Sequence, residues 1–133
     1  MATIFATAPG KTILFGEHAV VYGYPAIAVP VNEIQAKVKI FPVIGSSPDE
    51  IHFVAPQIQF EKQYKDMDFN HPLKIALDEV KKYLSISVYP ACKIHISSSI
   101  PISSGLGSSA AISVALIKAM LEYVGFQASP SQI

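Results

Sequence analysis

The chain of 133 residues is long enough for one packed domain and short for two, and its 50% hydrophobic content excludes a disordered tail. Ten lysines balance 10 acidic residues and there is no arginine, a composition that argues against nucleic-acid binding and against an electrostatic membrane patch. A single cysteine, Cys92, excludes an internal disulfide, and the lack of a signal-like N-terminus or of about 20 consecutive apolar residues predicts a cytoplasmic protein.

The first half of the chain has the composition and alternation of β-strands, separated by breaks that contain proline or glycine. Alternation is clearest over residues 34–43, where Ala36 and Val38 would face one side of a sheet. Residues 56–70 show no clear period and are predicted to form a loop. The predicted strands are residues 3–8, 12–15, 26–31, 34–43 and 51–54, with a break at Pro9-Gly10, a turn at 45–49, and 51–54 as the returning strand.

The second half of the chain predicts a helix, a strand and a second helix. Asn70 is the predicted N-cap of the first helix, with Pro72 in its first turn. Residues 91–100 alternate as a strand, and residues 108–124 form a helix so apolar that it is predicted to be central and buried, with Gly125 just past its end. This order predicts an α+β layer architecture. The first helix is predicted to bury a face made by Leu73, Ala76, Leu77, Val80 and Leu84.

The last five residues predict the beginning of another helix. Ser129 is a good N-cap, and Pro130 suits the first helical position. The chain stops at Ile133, within that first turn, and a single turn gains almost nothing once nucleation is counted. We therefore expect the chain to be cut from a longer protein.

The segment that joins the last strand to the last helix, residues 101–111, is rich in glycine and serine. Gly105 and Gly107 would let the backbone approach an anion closely, and the helix that follows would present free N–H groups and its positive dipole end. Ser108 and Ser109 add hydroxyls for phosphate oxygens or Mg²⁺. The pattern matches neither a P-loop nor a dinucleotide fingerprint, and a plain strand-to-helix connection explains it equally well.

A second polar segment lies near the N-terminus, where Lys11 follows Pro9-Gly10 and Glu17 precedes His18. Taken alone, these side chains are as well explained by a solvated lysine, a surface acid and a core histidine.

Together the two segments are more specific. Residues 9–18, Pro-Gly-Lys-x-x-x-x-Gly-Glu-His, and residues 105–110, Gly-Leu-Gly-Ser-Ser-Ala, resemble the first two motifs of the GHMP small-molecule kinases. The resemblance implies an α+β fold, with residues 1–133 forming a ribosomal protein S5 domain 2-like N-terminal (ATP-binding) domain that contains a left-handed βαβ unit, and with the C-terminal domain missing. Residues 19–28 are apolar and are similar to the mevalonate kinase branch of the superfamily.

The resemblance implies transfer of the γ-phosphate of ATP to the C5 hydroxyl of (R)-mevalonate, with Mg²⁺. Lys11 matches a catalytic and substrate-binding lysine that would offset developing charge. Glu17, His18 and Tyr22 match the acceptor pocket, and Ser109 matches a serine that helps to hold Mg²⁺. The residues matched to the nucleotide are Ser98, Ser103, Ser104, Gly105, Leu106, Gly107, Ser108, Ser109 and Ala110.

The family also uses an aspartate near the acceptor hydroxyl and a glutamate on Mg²⁺, both after the glycine-rich helix. The only acid after Ser109 is Glu122, about 20 Å away by helical rise, so the chain alone is predicted to be inactive. Phosphomevalonate kinase, mevalonate diphosphate decarboxylase, a galactokinase-like enzyme, a non-catalytic sensor and an S5-like nucleic-acid module stay open as alternatives. The expected partners are mevalonate and ATP, with a homodimer of the full-length protein as an option, and neither nucleic acid nor a membrane.

Overall fold

The structure, a computed structural model, describes residues 2–101, 106–127, 129, 131 and 133. Within these ranges five strands form one sheet, and two α-helices pack on one of its faces around a single apolar core. This arrangement confirms the predicted α+β architecture. The elements are β1 (Ile4–Phe15), β2 (Ile27–Pro42), β3 (Ile51–Ala55), β4 (Phe60–Gln63), α1 (Pro72–Leu84), β5 (Cys92–Ser98) and α2 (Ser108–Tyr123).

The sheet has the strand order β1-β2-β5-β3-β4. β5 runs parallel to β3, and the other neighbouring strands are antiparallel. β3 was expected to return beside β2, but β5 lies between them, because the connection through α1 brings the chain back into the middle of the sheet. The predicted alternation in β2 is confirmed: Ala36, Val38 and Ile40 are fully buried, and the lysines between them are exposed.

β1 is one continuous strand, so the predicted break at Pro9-Gly10 is wrong. The pairing with β2 shifts register there, from Pro9 opposite Gln35 to Gly10 opposite Val31. Proline donates no backbone hydrogen bond, and β1 lies at the edge of the sheet, where that loss is tolerated. The residues read as a turn are therefore an irregularity within the strand.

The segment predicted as a loop, residues 56–70, contains the edge strand β4. Four residues are too few to show a period, so the sequence gives no signal for it. It pairs antiparallel with β3, and side chains add to the pairing: the His52 ring lies 2.8 Å from a Glu61 carboxylate oxygen and 3.1 Å from the Gln63 amide nitrogen.

The N-cap of helix α1 lies one residue later than predicted. His71, not Asn70, is the N-cap, and its Nδ1 accepts the Leu73 N–H at 3.2 Å. The predicted apolar face is confirmed for four of its members, and the fifth, Leu84, is half-buried. The buried members are Leu73, Ala76, Leu77 and Val80.

Helix α2 packs across β1 and β2, and Gly125 follows it with φ of 85°, as predicted. Leu116 and Met120 are fully buried, but Val114 and Glu122 lie on an exposed stripe. The prediction that α2 is a central, buried helix is therefore wrong for this stripe. None of the described helices is long and apolar enough to cross a membrane. The helix predicted from Pro130 depends on residues outside the described ranges.

Candidate functional site

The two predicted motifs meet where β1 passes the beginning of α2. The backbone N–H of Lys11 donates to the carbonyl of Leu106 at 2.8 Å. β1 comes this close because Gly10 has no side chain: a Cβ there would lie 3.2 Å from the Leu106 oxygen and 3.0 Å from the Ile34 side chain. A backbone hydrogen bond thus joins β1 to the end of the glycine-rich segment.

Gly107 is the N-cap of α2 and has a left-handed backbone conformation, with φ of 75°. Its carbonyl accepts the Ala111 N–H at 2.9 Å, and this hydrogen bond closes the first turn of the helix. As a glycine it has no side chain that could cap the remaining first-turn amides, so these donors face outward without an intrahelical acceptor.

The aliphatic stem of Lys11 lies directly against Gly107. A Cβ on Gly107 would be 3.0 Å from Lys11 Cγ and 3.2 Å from Lys11 Cε. The ammonium group is one bond beyond Cε and therefore lies near the N-terminal end of α2.

The site concentrates positive charge. Lys11 forms no ion pair with any carboxylate in the part of the chain that the structure describes. The N-terminus of α2 adds the equivalent of about half a positive charge. Two positive groups held side by side repel each other unless an anion lies between them, so the arrangement favours a bound anion such as phosphate.

A cavity of about 460 Å³ opens beside the same end of α2. Its three predicted site residues are Ser98, Ser108 and Ser109, which the fold brings together from β5 and α2. Much of the remaining wall is apolar, so the cavity suits a flat apolar ring with polar groups at one end. The other lining residues are Ala55, Gln57, Ile58, Ile96, Ser97, Ser99, Ile100, Pro101 and Ile112.

Gln57 organises the cavity wall, and sequence reasoning missed it. Its side-chain oxygen accepts the backbone N–H of Ser98 at 2.7 Å, and the Ser98 hydroxyl accepts the N–H of Ile100 at 3.1 Å. Gln57 belongs to a segment without periodicity, and its partner lies 41 residues away. No local pattern could have indicated this contact.

The three residues matched to the acceptor pocket lie on the segment after β1 and are exposed. His18 is 96% exposed in its side chain, which excludes the core-histidine alternative, and its Nε2 is 4.0 Å from a Glu17 carboxylate oxygen. Tyr22 is 81% exposed. Within the described residues, no hydrogen bond or ion pair joins these three to Lys11 or to α2.

The remaining predicted site residues are Ser103, Ser104, Gly105 and Ala110. Ala110 is exposed in the first turn, beside Ser109. Ser103, Ser104 and Gly105 lie outside the described residues.

The residues present fit magnesium only as an ion that arrives with phosphate. Among the described residues, no group of three His, Cys, Asp or Glu side chains could hold a metal. The exposed hydroxyl of Ser109 could supply one oxygen ligand. Mg²⁺ commonly takes one or two protein oxygens and completes its shell with phosphate oxygens and water, so this donor set suits a magnesium–nucleotide complex.

Residues 70–133 match the family model described as the GHMP kinases N terminal domain. Mevalonate kinases from Pyrococcus horikoshii and Archaeoglobus fulgidus are 36% and 38% identical over 98% and 88% of this chain. The chain spans 42% and 37% of the lengths of these relatives. The crystal structure of the Methanococcus jannaschii mevalonate kinase aligns with a TM-score of 0.82 and 33% identity, over 98% of this chain and 43% of that one.

The chain thus carries a GHMP kinase N-terminal domain. It has a mixed sheet, and Lys11 packs against the glycine that caps α2. Within that class, the curated homologues that match the chain include mevalonate kinases. Both findings confirm the family predicted from the two motifs.

Proposed function

We propose that this domain binds ATP–Mg²⁺ and belongs to an enzyme that phosphorylates (R)-mevalonate at its C5 hydroxyl. The observation that carries the proposal is the position of Lys11, whose stem lies against the N-cap of α2 beside an apolar cavity. The similarity to mevalonate kinases supports the choice of acceptor.

In this proposal the adenine and ribose of ATP occupy the 460 Å³ cavity, and the phosphates lie along the start of α2. Ile58 and Ile112 would provide apolar surface for the base, while Ser108 would meet phosphate oxygens. The outward-facing first-turn amides would donate to the phosphates, as at other helix N-termini. Bound Mg²⁺, held in part by Ser109, would neutralise charge on the β- and γ-phosphates.

The proposed role of Lys11 is to stabilise the charge that moves during transfer. The bond between the γ-phosphorus and its bridging oxygen breaks and ADP leaves as the C5 oxygen of mevalonate bonds to that phosphorus, and the hydroxyl proton passes to a base such as the family's aspartate, which is not among these residues. A cation beside the reacting oxygens favours the ionised hydroxyl and offsets charge on the transferred group. Ser103, Ser104 and Gly105 complete the proposed phosphate loop.

The proposed acceptor surface follows β1. Glu17, His18 and Tyr22 are its polar members, and His18 would donate or accept a hydrogen bond with the substrate. The neighbouring Val21 is 74% exposed, which suits contact with the methyl group of a branched hydroxy acid.

We further propose that the 133-residue chain by itself does not catalyse phosphoryl transfer. The aspartate near the acceptor hydroxyl and the glutamate that binds Mg²⁺ in this family are not among its residues. Glu122 lines a different cavity, with Phe5 and Lys118, at the other end of α2.

The test is ADP release with ATP–Mg²⁺ and (R)-mevalonate, measured on the 133-residue chain and on the complete product of its gene. Galactose, homoserine and phosphomevalonate serve as competing acceptors. Activity of the complete product with mevalonate alone, and none in the 133-residue chain, is the expected result. Nucleotide binding without phosphorylation of any acceptor would favour a non-catalytic sensor, and turnover by the 133-residue chain would contradict the assigned roles.

A further inference from the structure

The described glycines with a left-handed backbone differ in what an added Cβ would meet: at Gly16 it would lie 2.6 Å from the backbone oxygen of Pro25. At Gly23, Gly45 and Gly125, an added Cβ would meet nothing within 4 Å, so only the backbone conformation favours glycine there. At Gly107 the three nearest atoms would all belong to the stem of Lys11: Cγ at 3.0 Å, Cε at 3.2 Å and Cδ at 3.5 Å.

These contacts are tight, and the group they meet can move. Carbon atoms in good contact lie about 3.5–4.0 Å apart, so a methyl group on residue 107 would push against the lysine. Lys11 is held at its backbone by the hydrogen bond to Leu106, while its side chain is flexible. Of the groups in contact, the lysine stem is therefore the one that would move, and the left-handed backbone of residue 107 adds strain, as it does at Gly125.

A glycine at the start of an anion-binding helix is usually explained by close approach of the anion to the backbone. Here the space next to the Cα of Gly107 is already taken by Lys11. The glycine thus makes room for the lysine.

We propose that Gly107 is a positioning residue for Lys11: because it lacks a Cβ, the lysine stem lies across the N-cap of α2 and its ammonium group is fixed beside the first-turn amides. This inference rests on the proposed function in that the anion at the N-terminus of α2 is a nucleotide phosphate. The placement of Lys11 by Gly107 is itself independent of the ligand.

The test is a double-mutant cycle on the 133-residue chain with Gly107→Ala, Lys11→Ala and the double variant, and with Gly125→Ala as the matched control. Gly125 follows the same helix with φ of 85° and open space around it, so its alanine variant measures the backbone strain alone. ATP–Mg²⁺ affinity is measured by calorimetry. With ¹³C-lysine labelling, the ε-carbon resonance of Lys11 is assigned by its loss in Lys11→Ala.

In the wild-type background, Gly107→Ala should weaken ATP–Mg²⁺ binding by about tenfold, the effect expected when a charged hydrogen-bonding group is displaced. In the Lys11→Ala background it should have no further effect, since the group it displaces is gone. Gly125→Ala should leave the affinity unchanged. An equal loss in both backgrounds would show that the effect of Gly107 on binding does not pass through Lys11 and would overturn the inference.

The lysine resonance separates this inference from the proposed function. Gly107→Ala should shift the Lys11 ε-carbon resonance in the absence of nucleotide, and Gly125→Ala should not. If the wild-type chain binds no ATP, the proposed function fails, yet the resonance still decides the positioning role. A Lys11 resonance that does not move in Gly107→Ala would overturn it.

Discussion

The N–H of Lys11 and the carbonyl of Leu106 are joined at 2.8 Å, so a residue near the N-terminus is held at the helix that begins about a hundred residues later. This bond uses the free edge of β1, since Lys11 also pairs with Pro30 of β2 on the other side. This hydrogen bond explains why two motifs far apart in sequence form one corner, where Lys11 meets the N-terminus of α2.

Replacing Lys11 by methionine keeps the length of the side chain and removes its charge. We expect ATP affinity to fall by about tenfold or more, because a charge-assisted contact to phosphate is lost. Adenosine affinity should stay the same, since the cavity is unchanged. Calorimetric titration with both ligands checks this. Lys37→Met, on the exposed face of the sheet, is the control, and an equal loss for adenosine would contradict the placement of the phosphates.

Gly16 is required by both conformation and space. Its φ is 89°, and a Cβ would lie 2.6 Å from the carbonyl oxygen of Pro25 and 2.9 Å from the Cα of Ala26. Because both neighbours are backbone, we expect Gly16→Ala to lower the free energy of unfolding by about 3 kcal/mol.

The matched variant for Gly16→Ala is Gly23→Ala, at φ of 86° with nothing within 4 Å. It should cost only about 1 kcal/mol, the strain of the left-handed conformation. Urea unfolding of both variants measures the difference. Equal costs would show that the contact with Pro25 and Ala26 does not constrain the segment that carries His18.

The thiol of Cys92 should be unreactive in the folded chain. It is 1% exposed, and burial raises its pKa to about 12. Since the thiolate is the reactive form, alkylation by iodoacetamide at pH 8 should be slow without denaturant and fast in urea. Mass spectrometry follows the reaction. Rapid alkylation of the native chain would contradict the packing of β5 against the helices.

Two buried tyrosines should make the fold sensitive to alkali. Burial, and then the hydrogen bond that its hydroxyl donates to Asp78, raise the pKa of Tyr64; burial likewise raises the pKa of Tyr89, whose hydroxyl donates to the Leu77 carbonyl at 2.6 Å. The folded chain therefore keeps these protons more tightly than the unfolded chain. Their contribution to stability is complete below the ordinary tyrosine pKa of about 10 and is lost as the pH rises above it.

We expect the free energy of unfolding to fall as the pH rises above about 10, the ordinary tyrosine pKa. The fall should be shallower in Tyr64→Phe. Urea unfolding at a series of pH values measures it, with Tyr24→Phe, at an exposed tyrosine, as the control. A profile that is flat in the wild-type chain would contradict the buried positions of Tyr64 and Tyr89.

What could be predicted from the sequence depended on how local the signal was. The buried face of α1 and the alternation of β2 follow from short-range periodicity and were predicted correctly. Pro9-Gly10 has the composition of a turn, but edge-strand pairing with β2 overrides that preference. The four residues of β4 are too few to carry a period.

The candidate site shows the same division. Lys11 and Ser109 are predicted as site residues from a resemblance that depends on two separated motifs. Gln57 was not found, because its contact with Ser98 exists only after β5 enters the sheet next to β3. The exposed position of His18 also could not be predicted from the sequence, since the residues that follow it, 19–28, are apolar.

A ¹⁵N NMR titration of the 133-residue chain with ATP–Mg²⁺ and, separately, with adenosine tests whether phosphate binds where Lys11 meets the start of α2. We expect ATP–Mg²⁺ to shift the backbone amides of Lys11 and of residues 107–110, and both ligands to shift the amide of Ser98. Adenosine should leave the Lys11 amide unmoved, because only the phosphates reach that corner. If millimolar ATP–Mg²⁺ shifts neither Lys11 nor the start of α2, the corner is not a phosphate site and the account is wrong.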